Sequence, residues 1–255
     1  MNSPRTSSTA ASALRLLRLL AAHPEGMRLT DAAAELAVGK SSAHVLMSTL
    51  VDQGFADHLP NGRYALGLGA FEVGISVPDA VRFGGEVARP MQLLADQSGE
   101  AVSLAVPRGR YAIMVQRFES RQILRAEIRV GTRMPMFACA SGKFLLAQMA
   151  EDEINSLFPE AELVHDNVTE STIRTKTDLL DELKQVREDG YATNTDEYVF
   201  GIHGIGTGVK NYDDSYVGAL SIAGPSGRFN ATEWVQPLFD AAAQMTEILT
   251  TRSHR

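Results

Sequence analysis

The sequence predicts an α+β protein of two domains, an N-terminal winged helix-turn-helix followed by a larger body in which helices pack on a sheet. Three observations predict it. Residues 29–66, LTDAAAELAVGKSSAHVLMSTLVDQGFADHLPNGRYAL, read as two short helices joined by a tight turn and followed by a hairpin. That is the outline of a module that lays one helix in the major groove of DNA. From Ala101 the apolar spacing turns from helical to alternating, with strand-like runs at 101–107 and 111–117 around Arg108-Gly109-Arg110. The 255 residues, 44% hydrophobic and 22% charged, suffice for two domains of ordinary size and have the composition of a soluble globular chain.

The elements follow in order. Residues 1–8 read as a disordered arm that lacks the apolar core of a signal peptide. Thr9 to His23 is a helix whose stripe is Leu14, Leu17 and Leu20 with Ala13 and Ala21, ended by Pro24 and Gly26. Thr30 is expected to cap a second helix over Asp31–Ala37. Val38-Gly39 makes the turn, with Gly39 left-handed. A third helix runs from Lys40 or Ser41 to Asp52, with Ala43, Leu46 and Leu50 inward and Met47 on the flank. Ser41, Ser42, His44, Val45 and Ser48 face outward, short or polar side chains that let a helix approach base edges. Lys40 and the helix N-terminus face phosphates. Asn61-Gly62 signals a two-residue hairpin with positive φ at both positions, which places Arg63 for another phosphate.

A linker over 68–84 holds a short helix at Leu68–Ile75, and a longer helix begins near Asp79 and stops at Gly99. These bounds give a DNA-binding domain at 9–67 and a C-terminal domain at 85–255. Within the latter, 124–130 (LRAEIRV) alternates as a strand and 134–137 reads as a loop. Helices are expected at 139–150, 151–158 and 176–189, and strands at 191–195, 205–211 and 215–223. A last helix runs from the cap Asn230 to about Thr251.

The net charge of −7 is unevenly spread, for the first 72 residues are close to neutral and the body carries the acid. Phosphate neutralisation supplies much of DNA affinity, so several copies should act together, as a dimer or a dimer of dimers. A single cysteine, Cys139, excludes an intrachain disulfide and, with no signal peptide, points to the cytoplasm. No apolar run is long enough to span a membrane. The six histidines are scattered and no paired CxxC or HExxH occurs, so neither metal nor cofactor is expected. Ser141-Gly142-Lys143 is not a phosphate loop, because that motif needs glycine where Phe137 stands. An enzyme would need Cys139 or Ser141 as nucleophile, and neither has an evident base, so the chain is read as a non-enzyme.

A ligand site is the better reading of the same segment. Ala138-Cys-Ala-Ser-Gly142 opens a helix after a loop, and its unpaired N–H groups with the Ser141 hydroxyl suit a carboxylate, with no buried arginine required. Ser221 can add a second hydroxyl, and Ile128 and Met134 are candidate apolar walls.

The stretch HPEGMRLTDAAAELAVGKSSAHVLMSTLVDQGFADHLPNGRYALGLGAFEVG resembles the DNA-binding domain of the IclR-type bacterial transcriptional regulators, and the similarity runs through nearly the whole chain. The resemblance implies a GAF/PAS-like C-terminal domain that holds an effector in a cup over one face of its sheet. MFACASGKFLLA, NTDEYVFGIHGIGTGV and ALSIAGPSGRF are similar to the family's effector segments. Carried over by position, they imply contacts from Ala140, Ser141, Asn194, Gly204 and Ser221. The family often has arginine at Val45, acid at Asn194, cysteine at Gly204 and serine at Ala223. The smaller, less polar residues here imply an effector bulkier than a short keto acid, such as an aromatic carboxylate from a catabolic pathway. The expected partners are a palindromic double-stranded operator, a small organic acid and a second copy of the chain. The competing readings are a regulator of the same fold without an effector, the enzyme above, and a winged domain that binds protein.

Overall fold

The computed structural model describes residues 7–76, 83–120, 122, 128–163 and 169–252. The chain divides into two compact units between Val77 and Pro78.

In the first unit, α1 (Ser8–Ala22), α2 (Leu29–Glu35) and α3 (Lys40–Asp52) precede a hairpin, β1 (Ala56–His58) with β2 (Tyr64–Leu66), and a short helix α4 (Leu68–Ile75). Leu16 and Leu20 of α1 pack with Met27, Ala32, Leu36, Leu46, Met47 and Leu50. The stripe on α1 is therefore Leu16 and Leu20, flanked by Ala13, Leu17 and Leu19, while Leu14 and Ala21 are exposed. Five leucines in seven positions satisfy more than one helical stripe, and only the packing chooses between them. Met47, expected on the flank, is fully buried.

Three local expectations are corrected. Thr30 does not cap α2; the helix starts two residues earlier, at Leu29 behind Arg28, and the Thr30 hydroxyl bonds the Asp31 carboxylate. The left-handed residue of the turn is Ala37 (φ 54°), not Gly39, which is extended (φ −62°, ψ 149°) as the residue before α3. Ala37 N–H donates to Ala34 O and Val38 N–H to Ala33 O, the paired bonds that close a helix end around a left-handed residue. The wing has three loop residues rather than two. Gly62 N–H donates to Leu59 O, Leu59 N–H donates to Arg63 O, and only Gly62 has positive φ (74°). Pro60 sets the first corner of this turn through its fixed φ.

In the second unit, a 3-10 turn at Gly85–Val87 leads into α5 (Ala88–Ser98), stopped by left-handed Gly99. The start expected near Asp79 lies outside the described residues. The strands are β3 (Ala101–Arg108), β4 (Tyr111–Phe118), β5 (Arg133–Pro135), β6 (Ala192–Thr195), β7 (Ile202–Lys210) and β8 (Tyr216–Pro225), in the order β5-β4-β3-β8-β7-β6. All neighbours are antiparallel. The helices α6 (Ala140–Ala147), α7 (Glu151–Leu157) and α8 (Lys176–Asp189) pack through Phe144, Leu146, Ile154 and Leu183 on one face. On the other, α5 and α9 (Ala231–Arg252) pack through Met91, Leu94, Leu238 and Met245.

The segment expected as a loop at 134–137 instead supplies β5 and a 3-10 turn (Met136–Ala138), because Ala112 and Ile113 at the β4 edge pair with Met134 and Arg133. Of the strand expected at 124–130, only 128–130 are described, and they form loop and turn. The glycine-rich β7 starts at Ile202, earlier than its composition suggests, because β6 and β8 pair with it on both sides. α6 is shorter than expected, with Cys139 outside its first turn.

One irregularity bears on the site. β3 pairs Leu104 with Gln116 and then Ala105 with Met114, so Val115 is an extra residue. Such a bulge reverses the in-out alternation of its strand. Arg117, opposite Ser103, thus shares a face with Met114, opposite Ala105.

Candidate functional site

On the first unit, Lys40, Ser41, Ser42, His44, Val45 and Ser48 are all exposed on α3, with Val45 64% exposed. Ala43, Leu46, Met47 and Leu50 anchor the opposite side. Arg63 is half-buried at the wing, where its guanidinium donates to Gly26 O at 2.9 Å and its own N–H is held by Asn61 Oδ1 at 3.0 Å. The wing arginine is thereby fixed to the turn after α1, a position that sequence spacing does not reveal.

On the second unit, one cavity opens over the sheet, about 50 Å³ measured to the centre of a water molecule. Ile128, Met134, Ala140, Ser141, Asn194, Gly204 and Ser221 all line it. Register explains the convergence. Ser103, Ser221 and Gly206 stand opposite one another across β3, β8 and β7, and Asn194, Gly204 and Ala223 across β6, β7 and β8 two residues further along. Residues two apart share a face, so both rows form one floor. The start of α6 sits on this floor, and the fit is tight. A Cβ on Gly206 would lie 3.0 Å from Ser141 N, and one on Gly142 would lie 2.4 Å from Met136 Cα.

The polar groups around the cavity differ in their partners. Ser221 Oγ donates to Ser103 O at 3.4 Å. Asn194 Nδ2 donates to Ile202 O at 3.1 Å, while its buried Oδ1 has no hydrogen-bond partner among the described residues. Arg117 also lines the cavity, with its side chain only 4% exposed. Its Nε donates to Glu119 Oε1 at 2.8 Å and its Nη1 to Ser103 Oγ at 3.0 Å. A guanidinium therefore stands in the cavity wall, a group that the sequence reading did not place there. The bulge hid it, since strict alternation from Met114 sends residue 117 to the other face.

Lys143 is a second group the sequence reading missed. Its side chain is fully buried, and its ammonium bonds Glu182 and both oxygens of Glu197, the latter at 2.7 and 2.9 Å. Burial pushes the Glu197 carboxyl above the usual carboxylate range against the opposing pull of Lys143. This cluster ties α6 to the loop after β6, whose Tyr198 and Val199 line the cavity.

Nucleophilic chemistry is not supported here. Burial pushes the Cys139 thiol up to about 11, so it is a thiol at neutral pH. No hydrogen bond joins Ser141 to a histidine among the described residues, and His203 pairs with Asp196. The described residues contain no group of three metal-ligating side chains, and no helix among them is long and apolar enough to cross a membrane.

Comparisons with known proteins agree along the chain. Residues 9–60 match the family profile for the IclR helix-turn-helix domain, and residues 85–247 that for the bacterial transcriptional regulator IclR C-terminal domain. The chain is 33% identical over 201 residues to the HTH-type transcriptional repressor AllR of Escherichia coli, covering 76% of this chain and 72% of AllR. It is 29% identical over 239 residues to the acetate operon repressor of Salmonella typhimurium, covering 91% and 86%. Among solved structures, an IclR homolog from Microbacterium hydrocarbonoxydans complexed with 4-hydroxybenzoate shares the fold at a TM-score of 0.83 and 22% identity, covering 96% of this chain and all of that one. An IclR regulator from Alicyclobacillus acidocaldarius matches at 0.80 and 23% identity, covering 95% and 99%.

Proposed function

This chain belongs to the IclR family of bacterial transcriptional regulators, and we propose that its C-terminal cavity binds a small aromatic carboxylate which controls affinity for an operator. The observation that carries the effector class is the make-up of the cavity. Ile128, Met134 and the small residues Gly204 and Ala223 make an apolar slot beside the N-terminus of α6 and the hydroxyls of Ser141 and Ser221. A planar ring is one atom thick, so it fills a slot whose volume open to the centre of a water is small. Apolar walls with a few convergent polar groups are the usual make-up of small-molecule sites. A fold neighbour that holds 4-hydroxybenzoate supports the same class.

The reading surface is Lys40, Ser41, Ser42, His44, Val45 and Ser48 of α3, with Arg63 on the wing. Exposed Val45 is suited to an apolar contact with a thymine methyl. With a nearly neutral N-terminal unit, tight binding requires two or four copies on a roughly palindromic site. The effector acts by changing the spacing of paired reading helices through the 68–84 linker, and only a difference in affinity between the two states can drive that change.

Calorimetric titration with a panel of carboxylates tests the effector class, and a gel shift on the DNA upstream of the gene, with and without the acids that bind, tests the regulation. Aromatic acids bind and alter the shift. Tight binding of glyoxylate or pyruvate, with none of any aromatic acid, overturns the proposal.

A further inference from the structure

We infer that the buried Lys143–Glu182–Glu197 cluster is a positioning group of the effector site, and that an anionic effector binds together with a proton from water, which lodges on Glu197. The inference rests on the proposed cavity and names a control on it that lies outside the ligand's own contacts.

The cluster joins two parts of the cavity wall. Lys143 stands in the first turn of α6, where its N–H donates to Cys139 O at 2.9 Å, and Cys139, Ala140 and Ser141 line the cavity. Glu197 directly precedes Tyr198 and Val199, which line it from the loop after β6. That loop has little slack. Glu197 Oε1 accepts from Thr195 N–H at 3.2 Å, and the Glu197 carbonyl accepts from the hydroxyls of Thr172 and Thr169. A change of charge at the cluster is therefore felt at the wall.

The charges do not balance. The ammonium of Lys143 on α6 faces Glu182 of α8 and Glu197 of the loop, one cation against two carboxylates, and no second cation bonds either glutamate among the described residues. The other titratable groups nearby are the Cys139 thiol, the Tyr198 phenol and the His203–Asp196 pair at the base of the loop. A carboxylate entering the cavity meets this surplus negative charge, and a like charge favours the protonated form of a carboxyl. Glu197 is the member that yields. It is 8% exposed against 32% for Glu182, so its ionised form is the less hydrated. Burial already holds it above the usual carboxylate range against the pull of Lys143. Its Oε2 accepts from Lys143 alone, at 2.9 Å, which leaves a lone pair for the proton, and Lys143 then stays paired with Glu182. The cluster passes from one net negative charge to none as the anion enters.

The test is calorimetry on the full-length protein with benzoate and neutral benzamide, in buffers of low and high ionisation enthalpy, between about pH 5.5 and 8, where a free carboxylic acid is already ionised. Wild type takes up protons with benzoate and none with benzamide, and benzoate affinity falls by up to about tenfold per pH unit, the limit for one linked proton. Glu197→Gln mimics the protonated cluster. It abolishes the uptake, flattens the profile and binds benzoate about two- to tenfold more tightly than wild type at pH 8. Glu182→Gln, at the more exposed end, leaves one carboxylate on one ammonium and also lowers the uptake, which keeps the inference open to disproof if Glu197→Gln does not fold. His203→Gln retains the uptake. A merely structural cluster would make the glutamate variants weaken benzoate and benzamide alike and leave the uptake in place, and that result overturns the inference. So does benzoate binding to wild type without uptake, or an uptake lost in His203→Gln. Binding of no carboxylate by wild type instead removes the effector reading on which the inference rests.

Discussion

The exposed face of α3 and the cavity of the second unit contrast in how they are assembled. The first is one helix surface, six exposed side chains within nine consecutive residues, supported by four apolar anchors on the back. The second draws Arg117, Ser103, Ser221, Gly204, Asn194 and Ser141 from six elements between residues 103 and 221, and it exists only while the sheet register holds. A surface made by one helix can change its side chains without changing its shape. A cavity made by six elements is sensitive to groups that never touch its ligand.

Lys143→Met tests that sensitivity most severely. It strands Glu197 and Glu182 around an apolar side chain, and removing one member of a buried ion cluster costs about 3–5 kcal/mol. Trp234, the single tryptophan, lies in α9, so urea unfolding followed by its fluorescence reports the second unit. An unchanged midpoint would show that the cluster is dispensable.

Gly142→Ala comes next. Its Cβ meets the Met136 backbone, and overpacking of this kind costs about 1–3 kcal/mol. The same fluorescence transition measures it. Effector affinity should fall with it, because α6 is displaced from Gly206. Affinity that survives the substitution would separate the helix start from the ligand.

On the proposed DNA-contact face the expected outcomes differ in kind. Arg63→Ala weakens binding to all DNA sequences and lowers the salt dependence by about one phosphate contact. His44→Ala alters the preference between operator variants by about 1 kcal/mol. Both leave the Trp234 transition in place. Quantitative gel shifts at two salt concentrations check this, and two inert variants would mean the face is wrongly assigned.

The smallest effect is a slope with pH. The folded carboxyl of Glu197 titrates above its unfolded value, so in that window the native state binds more protons than the unfolded one. Stability then falls as pH rises from the ordinary carboxylate range through the raised value. Thermal unfolding against pH should show this slope, and Glu197→Gln should flatten it.

Legibility in the sequence follows the same contrast. The spacing of α3, the core positions Ala43, Leu46 and Leu50, and α8 with its stop at Gly190 were all readable. The turn at Ala37 was not, because glycine at 39 drew the left-handed assignment while the hydrogen bonds of the helix end placed it two residues earlier. β5 was not, because a three-residue strand is defined by the β4 edge it pairs with rather than by its own composition.

The sequence by itself determined the two-part architecture, the outward face of α3 and the segments that line the cavity. These depend on helical period, turn chemistry and motif, which act over one or two turns of chain. Only the tertiary structure decided that Arg117 joins the cavity, that Asn194 keeps an unsatisfied acceptor there, and that Lys143 is neutralised from two directions. Each of these depends on register and on contacts between residues 14 to 54 apart or more, and a single extra residue at Val115 was enough to reverse which face an arginine occupies.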